Sequence, residues 1–372
     1  MKIAINMSPM LKGKSVTGIG NYIIHVLMRI MEMDETNQFI LISNGPLNID
    51  IPKKETVRSL QISCSSSFLF SRYLILKELY KEKVDVYWSP NQVLPIMKPK
   101  YTKYYMTVYD IANLKNVGFA RYSFLRQWLF RYTTGHSIRI SDSVLSISEA
   151  TRNDLIEVFH LKDTNKVKTI YLGYDVVDHI GSSSSIVERL QIRKPFLLYV
   201  GTLQPRKNIK TIVDGYIRLR ENGMDACLVM AGGIGWGMDE VLESIKASPY
   251  GVDIYTPGYI TEADKKALYM NAACLVFPSL YEGFGLPVLE AFTYGIPVIT
   301  AKNSSLPEVG GNAALYLNDE LSAHELAGLM ARVLDLSEDE RIDIKEKEQK
   351  QLQRFGWDKC ASETLAVLTS NI

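Results

Sequence analysis

Residues 275–300, LVFPSLYEGFGLPVLEAFTYGIPVIT, place glycines where a strand turns into a helix. The apolar run at the start is short enough for a buried strand, and the chain then turns through Gly283 and Gly285. Pro287 suits a first helical turn, because its missing N–H would be unpaired there in any case, and Gly295 indicates the helix end. Such a turn directs free backbone N–H groups toward one point, so it predicts a binding site for a phosphate.

Two carboxylates flank this turn. Glu282 lies just before it, and Glu290 lies eight residues later, in the first turns of the predicted helix. An ionised carboxylate only accepts hydrogen bonds, so it suits the hydroxyl groups of a sugar. The acids and the anion site together predict a ligand with both phosphates and hydroxyl-rich rings. On spacing alone, a helix stabilised by an acid near its N-terminus explains the pattern equally well.

A second strand-to-helix connection presents two adjacent cations. The apolar run at residues 196–200 ends at Gly201 and is followed by Arg206 and Lys207. Fixed cations here can neutralise the negative charge that grows on an anionic leaving group, with little reorganisation. A solvated loop is the ordinary explanation of a lone Arg-Lys pair, so the hypothesis depends on the surrounding motifs.

The N-terminal half begins with a strand and a glycine-rich loop. The loop holds Gly13, Gly18 and Gly20, and we predict a helix from about Asn21. Glycines at this place let a ligand approach the backbone closely. The spacing does not match GxGxxG, so it does not indicate a dinucleotide site.

Asp110 directly follows the hydrophobic strand predicted at residues 104–108. The carboxyl ends of strands are where α/β sheets bind their ligands. Asp110 is therefore predicted to orient a ligand hydroxyl or to accept its proton. A cap of the turn after the strand is the alternative.

The order of elements predicts an α/β protein with two doubly wound halves. Strand-like runs alternate with helical segments, and 372 residues exceed one ordinary core. A glycine and four serines at 181–185 have the composition of a flexible linker, so we predict a domain boundary at about residue 185.

Five segments resemble those of one family, in the expected order along nearly the whole chain. They are TGIGNY (17–22), LSISEATRNDL (145–155), VGTLQPRKNIKTIVDGY (200–216), YEGFGLPVLEAFTYGIPVI (281–299) and FGWDKCASET (355–364). In this combination they resemble retaining glycosyltransferases of the GT4 type, which have the two-domain GT-B fold. The resemblance implies a Rossmann-like acceptor domain at 1–185, a Rossmann-like donor domain at 186–354 and a last helix, 355–372, that packs back on the first domain.

The resemblance also implies roles for individual residues in sugar transfer from a nucleotide-diphosphate sugar, with retention of configuration. Glu282 would bind hydroxyls of the donor sugar and Glu290 those of the ribose, while Asp110 would lie on the acceptor side. The diphosphate would contact the cationic side chains of Arg206 and Lys207. It would also contact three backbone amides, those of Phe284, Gly285 and Leu286. Other donor contacts are expected from Gly18, Gly20, Thr202 and Tyr259.

Two positions depart from the family pattern. Tyr109 stands where most relatives have a histidine near the transferred sugar, and Thr202 stands where an arginine is usual. Lys207 matches the pattern, and Arg206 beside it is the predicted replacement for the missing arginine. A non-catalytic sugar-nucleotide-binding or scaffold protein of the same fold is the alternative that Tyr109 raises.

The sequence predicts no metal site and no cofactor. Cys64, Cys227, Cys274 and Cys360 stand far apart, without a CxxC pair or a DxD motif in the chain. Cationic side chains and helix N-termini would then stabilise the diphosphate. With no secretory signal and no apolar run of about 20 residues, we expect a cytoplasmic protein.

Charge is divided unequally between the two halves. Residues 1–180 carry 23 Lys and Arg against 16 Asp and Glu, a balance of +7, whereas the remainder has 19 against 25, a balance of −6. Bases mix with aromatic residues at 68–74 and 121–139. This mixture is typical of an interfacial helix on anionic lipid and equally of a buried helix whose arginines reach the surface. No segment resembles a nucleic-acid recognition module, so nucleic acid is not an expected partner.

The segment VGTLQPRKN is most similar to bacterial surface-polysaccharide enzymes, many of which are mannosyltransferases that use GDP-mannose. We therefore expect transfer of a hexose, mannose in the first instance, to a lipid-linked saccharide in O-antigen or capsule-type synthesis. The protein would then act peripherally on the inner face of the cytoplasmic membrane. A UDP-sugar is the alternative donor.

Overall fold

The computed structural model describes residues 1–12, 18–115, 124–175 and 186–370. Within these ranges the chain divides into two compact units. The first contains the described residues up to Gly173 and also the C-terminal segment from Phe355, and the second runs from Tyr174 to Arg354. Each unit is built around its own parallel sheet, which confirms the prediction of two Rossmann-like α/β units.

The first unit has the strand order β3-β2-β1-β4-β5-β6-β7 in the described part of the chain. Its strands are β1 (Lys2–Asn6), β2 (Gln38–Ser43), β3 (Val57–Gln61), β4 (Val86–Ser89), β5 (Lys103–Val108), β6 (Ser143–Ser146) and β7 (Val167–Thr169). The helices between them are α1 (Gly18–Met33), α2 (Ser67–Leu69), α3 (Ile75–Glu82), α4 (Phe124–Ile140) and α5 (Glu149–Phe159). A π-helical turn, Phe70–Leu74, joins α2 to α3.

The second unit has the strand order β10-β9-β8-β11-β12-β13. Its strands are β8 (Phe196–Val200), β9 (Cys227–Ala231), β10 (Ile254–Gly258), β11 (Cys274–Phe277), β12 (Val298–Ala301) and β13 (Leu315–Leu317). Its helices are α6 (Ile186–Arg189), α7 (Ile209–Glu221), α8 (Asp239–Ala247), α9 (Glu262–Asn271), α10 (Leu286–Thr293), α11 (Leu306–Gly310), α12 (Ala323–Leu334) and α13 (Glu338–Leu352).

The central strands of both sheets are buried on both faces. All of β4 and all of β11 are buried, and every strand pair in the two sheets is parallel. Parallel sheets are covered by helices on both sides, so continuous apolar runs form strands here without alternating with polar residues. Because all strands run the same way, their carboxyl ends share one edge of each sheet, and the candidate loops follow those ends.

The last helix, α14 (Trp357–Thr369), completes the first unit by packing against α1. The Trp357 ring stacks on His25 with centroids 4.6 Å apart, and Arg29 pairs with Asp358 at 2.6 Å. Gly173 permits this approach, since a Cβ there would lie 2.2 Å from the Trp357 backbone nitrogen. The predicted return of the C-terminal helix to the first unit is therefore confirmed.

The predicted boundary at residue 185 lies outside the described residues, as does the serine-rich run at 181–185. The division into 1–185 and 186–354 thus stays a prediction. None of the helices that the structure describes is long and apolar enough to cross a membrane.

Candidate functional site

The glycine turn predicted to bind phosphate lies between β11 and α10. Gly285 has φ +114°, a conformation that favours glycine, and α10 begins at the next residue with Pro287 in its first turn. A Cβ on Gly285 would also lie 3.1 Å from a Leu306 methyl carbon. The first N–H groups of a helix have no intrahelical partner, so this turn is compatible with the predicted anion site.

A neighbouring loop fixes the backbone of the turn. The buried Ser305 hydroxyl lies 3.0 Å from the Glu282 carbonyl oxygen and 2.6 Å from that of Phe284. Ser304 Oγ accepts a hydrogen bond from the Glu282 N–H at 3.0 Å. The role of these serines was not predicted from the sequence, because no local pattern indicates that the loop after β12 contacts the loop after β11.

Glu282 is buried and ion-paired at the start of the turn, with 8% of its surface exposed. Lys207 Nζ donates to Glu282 Oε1, and Arg206 Nη1 lies 3.6 Å from Oε2. Burial alone would raise the pKa of this carboxyl, but the two cations outweigh it and lower the pKa below its usual value. Glu282 is thus an ionised acceptor in a largely dehydrated place.

The two cations are held by the loop after β8. Arg206 and Lys207 form a short 3₁₀ turn that ends at Asn208, whose φ is +60°. The Asn208 amide donates to the Pro278 carbonyl at 3.1 Å, and the Leu280 N–H donates to the Arg206 carbonyl at 2.9 Å. These bonds join the loop after β8 to the loop after β11. Hence the structure brings Arg206, Lys207 and Glu282 together.

Glu290 lies on α10 and is held from behind by α9. Lys265 Nζ donates to Glu290 Oε1 at 3.0 Å, and the buried Tyr269 hydroxyl donates to Oε2 at 2.9 Å. Burial would lower the pKa of Lys265, but Glu290 and Glu262 outweigh it and raise the pKa. Each carboxylate oxygen keeps a lone pair for a further donor, a geometry suited to two adjacent ring hydroxyls.

The contacts of Lys265 and Tyr269 with Glu290 were not predicted from the sequence. Lys265 and Tyr269 stand four residues apart and so share one face of α9, which is the only local signal that they act together. Their partner is 21 to 25 residues away in the chain, and only the packing of α9 beside α10 reveals it.

Gly18 and Gly20 were placed in a loop by the sequence analysis, and this is wrong. The structure includes both in the first turn of α1, which begins at Gly18. Tyr22, Ile23 and other residues of α1 are buried, so tertiary packing extends the helix beyond what glycine propensity favours. Their predicted contact with the donor stays a prediction.

Asp110 caps the turn after β5, as the alternative reading of the sequence proposed. Its Oδ1 accepts from the Ala112 N–H at 3.1 Å, and its own carbonyl accepts from the Gln92 amide at 2.8 Å. The Tyr109 hydroxyl donates to the Pro90 carbonyl at 2.8 Å, and its ring packs edge-on against Tyr22. A cap can also bind a ligand through its second oxygen, so the catalytic role of Asp110 stays a prediction.

The two remaining donor-site candidates lie beside glycines. The Thr202 carbonyl accepts from the Tyr199 hydroxyl at 3.0 Å, directly after Gly201. Tyr259 is 87% exposed, and its ring lies over Gly233, where a Cβ would meet it at 2.5 Å. An exposed aromatic ring beside bare backbone offers a surface on which a planar base could stack.

The predicted site residues are thus divided between the units. Gly18, Gly20 and Asp110 belong to the first, and all the others belong to the second. In the described ranges, no group of three or more His, Cys, Asp or Glu side chains is arranged to hold a metal ion. The prediction of metal-independent chemistry is not tested by this observation.

Two Rossmann-like α/β units, each with its own parallel sheet, are the architecture of the GT-B fold. Among solved structures, the chain is similar to WaaG, a glycosyltransferase involved in lipopolysaccharide biosynthesis, with TM-score 0.73, 14% identity and coverage of 99% of this chain and 100% of the other. It is also similar to HepE of Anabaena in complex with UDP-glucose, with TM-score 0.73, 16% identity and full coverage of both chains (100%).

The sequence comparisons support the same class of enzyme. Residues 184–351 match the family described as Glycosyl transferases group 1. The chain is 27% identical to O-antigen chain mannosyltransferase B of Escherichia coli, over 94% of this chain and 95% of that protein. Residues 184–351 therefore form a group 1 glycosyltransferase domain, and the protein is a glycosyltransferase.

Proposed function

We propose that the protein transfers mannose from GDP-mannose, with retention of configuration, to a lipid-linked saccharide during synthesis of an O-antigen or capsule-type polysaccharide. The observation that carries this proposal is the buried Glu282, ionised against Lys207 and Arg206 beside the Gly285 turn. The mannosyltransferase name of the Escherichia coli relative supports the choice of sugar.

In the proposed reaction, the glycosidic bond to the diphosphate breaks and a bond from the acceptor oxygen to the same sugar carbon forms. Arg206 and Lys207, together with the amides of Phe284, Gly285 and Leu286, stabilise the charge on the departing diphosphate. Glu282 accepts hydrogen bonds from donor-sugar hydroxyls. The leaving phosphate oxygen takes the proton of the acceptor hydroxyl, so atoms and charge balance.

The remaining roles follow the same logic. Glu290 binds the ribose hydroxyls, and its two donors on α9 keep its oxygens in place. Asp110, at the carboxyl end of β5, orients the acceptor hydroxyl. Further donor contacts are assigned to Gly18 and Gly20 in the first unit and to Thr202 and Tyr259 in the second. No metal ion is required, because side-chain cations and helix amides supply the positive charge. The enzyme works at the inner face of the cytoplasmic membrane.

The first test is calorimetric titration of the full chain with GDP-mannose, UDP-glucose, GDP and UDP, each with and without a chelator. We expect GDP-mannose to bind most tightly and the chelator to leave its affinity unchanged. Preferential binding of UDP-glucose would replace the proposed donor by a UDP-sugar. Loss of binding in chelator would contradict the metal-independent mechanism.

The second test compares Glu282→Gln with Glu243→Gln, which removes an exposed acid on α8. Sugar transfer from GDP-mannose to a lipid-linked saccharide extract should fall at least 100-fold in Glu282→Gln, because removing one preorganised group in an active site costs about 10²–10³ in rate. Glu243→Gln should remain fully active. Donor binding without any transfer by the wild type would favour the non-catalytic binding protein instead.

A further inference from the structure

Helix α4 turns an apolar stripe outward. Leu125, Trp128, Leu129 and Tyr132 are 71%, 54%, 47% and 60% exposed. Their spacing of three, four and seven residues puts them on one face of the helix, which in an ordinary surface helix faces the core. The Trp128 and Tyr132 rings stack with centroids 5.6 Å apart, so they form one flat aromatic surface. An exposed stripe of this kind marks an interaction surface.

The charges of α4 are all positive. The helix carries Arg126, Arg131 and Arg139 and has no Asp or Glu in its 17 residues. In the part of the chain that the structure describes, none of these arginines is ion-paired, and Arg131 donates to the Val158 carbonyl at 2.8 Å. By contrast, Arg29 and Arg58 each pair with a carboxylate. The positive charge of α4 is therefore not neutralised within the described first unit.

Neighbouring segments add exposed apolar residues to this side of the unit. The buried Arg72 donates to the Leu94 carbonyl at 3.0 Å and to the Thr133 carbonyl at 3.2 Å, which ties two segments to α4. A ring nitrogen of His136 lies 3.0 Å from the Ile96 carbonyl oxygen. The large exposed apolar side chains of these segments are Phe68, Leu69, Tyr73, Ile96 and Met97. We call these five residues and the α4 stripe the α4 surface.

A basic groove runs along α4 beside the stripe. It has a volume of about 330 Å³, and its lining includes Arg131, Arg139, His136, His160, Trp128 and Tyr132. Gly135 lets α5 approach, since a Cβ there would lie 3.3 Å from the Phe159 ring. The groove has no carboxylate in its lining, so it is suited to an anionic group such as a phosphate.

We infer that the α4 surface docks on an anionic phospholipid bilayer, with the apolar stripe at the level of the lipid headgroups and the groove on a headgroup phosphate. Tryptophan and tyrosine are favoured at this depth, and arginine side chains extend to the phosphates around them. Unpaired cations favour an anionic membrane over a second copy of this chain, whose own α4 would repel it. The inference rests on the proposed function only for the lipid-linked acceptor, which the docked enzyme would meet at the bilayer.

Flotation of the full chain with vesicles tests the inference without turnover. Vesicles of phosphatidylcholine alone are compared with vesicles that also contain phosphatidylglycerol, at low and high salt. We expect binding to the anionic vesicles only, weakened by salt because exposed charges are screened. Equal binding to neutral vesicles, or no binding to either, would overturn the inference. Calorimetric donor binding in the same preparation reports separately on the proposed function.

Paired variants locate the surface. Arg126→Gln with Arg139→Gln should weaken binding to anionic vesicles about 25-fold, since each cation near such a surface contributes a factor of about five. Leu125→Gln with Trp128→Gln should weaken it at least as much. Arg218→Gln and Leu321→Gln, exposed positions of the second unit, are the matched controls. Unchanged melting temperature and donor affinity show that each variant is folded.

Two further outcomes decide what occupies the groove and the α4 surface. If inorganic phosphate at millimolar concentration competes with the binding of the wild-type chain to anionic vesicles, the groove binds the headgroup phosphate as inferred. Dimerisation of the wild type that is abolished by Leu125→Gln with Trp128→Gln, together with absence of vesicle binding, would assign the α4 surface to a second copy and contradict the inference.

Discussion

The buried Glu282 has a structural role as an ion-pair partner and, in the proposed reaction, a functional role as well. Its carboxylate is enclosed, and its charge is balanced by Lys207 and Arg206, the same cations that the proposed reaction directs at a diphosphate. A dehydrated ion pair is strong only while both partners remain charged. A bound diphosphate would draw the cations partly away from Glu282, so that its oxygens turn to sugar hydroxyls when the donor is present.

The pH dependence of stability tests this pairing. Because the folded pKa of Glu282 is lowered, its charge stabilises the fold fully above the ordinary value of 4.5 and progressively less as pH falls through the folded pKa. Denaturant unfolding at pH 7 should show Glu282→Gln about 2 kcal/mol less stable than the wild type. That difference should shrink below pH 4.5. If the difference in unfolding free energy between the two proteins stayed constant down to the folded pKa, Glu282 would not be ionised. Glu243→Gln is the control.

The hydroxyl of Tyr269 gives a second prediction at a single residue. Tyr269→Phe removes one of the two donors to Glu290. Affinity for GDP should fall about tenfold, since a hydrogen bond to a charged group contributes about 1.5–3 kcal/mol. The preference for GDP over 2′-deoxy-GDP should fall with it, which a purely structural effect would not cause.

Tyr294→Phe is the matched control for this experiment. Tyr294 stacks on Tyr269 with centroids 5.4 Å apart, yet the described structure gives it no hydrogen bond to Glu290. Calorimetry should therefore find its nucleotide affinity and its ribose preference unchanged. Equal losses in both variants would show that the aromatic pair, and not the hydroxyl, matters.

Among the elements, the turn before α10 depends on a glycine. Gly285→Ala forces a side chain into φ +114° and toward Leu306, which should cost about 1–3 kcal/mol. It should also weaken GDP binding, because the amides of the turn shift. Gly328→Ala, in the exposed middle of α12 with no atom within 4 Å of its Cβ, should instead stabilise the protein by about 0.5–1 kcal/mol.

Unfolding and GDP titrations of both variants decide this prediction. Opposite signs of the two stability changes, with GDP binding weakened in Gly285→Ala alone, would support the conformational role of Gly285. If Gly285→Ala were as stable and as tight a binder as the wild type, the left-handed conformation would not be required.

Elements with strong local signals were predictable from the sequence. The order of β11, α10 and β12 follows from apolar runs, from Pro287 in the first helical turn and from Gly295, which ends the helix with φ +64°. Ser148 directly precedes α5 and is of a residue type that favours helix N-caps, and its side chain accepts from the Thr151 N–H. In these places, backbone chemistry close in sequence determines the structure.

Features that depend on tertiary contacts could not be predicted in this way. Packing draws Gly18 into α1 against its own low helix propensity. The contact of Lys265 with Glu290, and that of Lys207 with Glu282, join residues 25 and 75 positions apart. The roles of the acids were expected from the family motifs, but their partners became visible only once α9 and the loop after β8 were placed.

At the scale of the whole molecule, the C-terminal segment belongs to the unit that is most distant from it in sequence. Phe355 and the residues after it are part of the first unit, although the chain reaches them from the second. Trp357 contacts this unit by stacking on His25 and packing over Gly173. The first unit therefore is not complete until the segment from Phe355 onward has been made.

The last prediction concerns the stability of this arrangement. Trp357→Ala should destabilise the first unit by about 3–5 kcal/mol, the usual cost of removing a large buried aromatic side chain. Hydrogen exchange should then show faster exchange in α1 and α14, while strands β8 and β11 of the second unit keep their protection. Trp128→Ala, at an exposed position of α4, should change stability by less than about 0.5 kcal/mol. Loss of protection throughout both units in Trp357→Ala would mean that they unfold together, and α14 would then stabilise the entire chain instead of one unit.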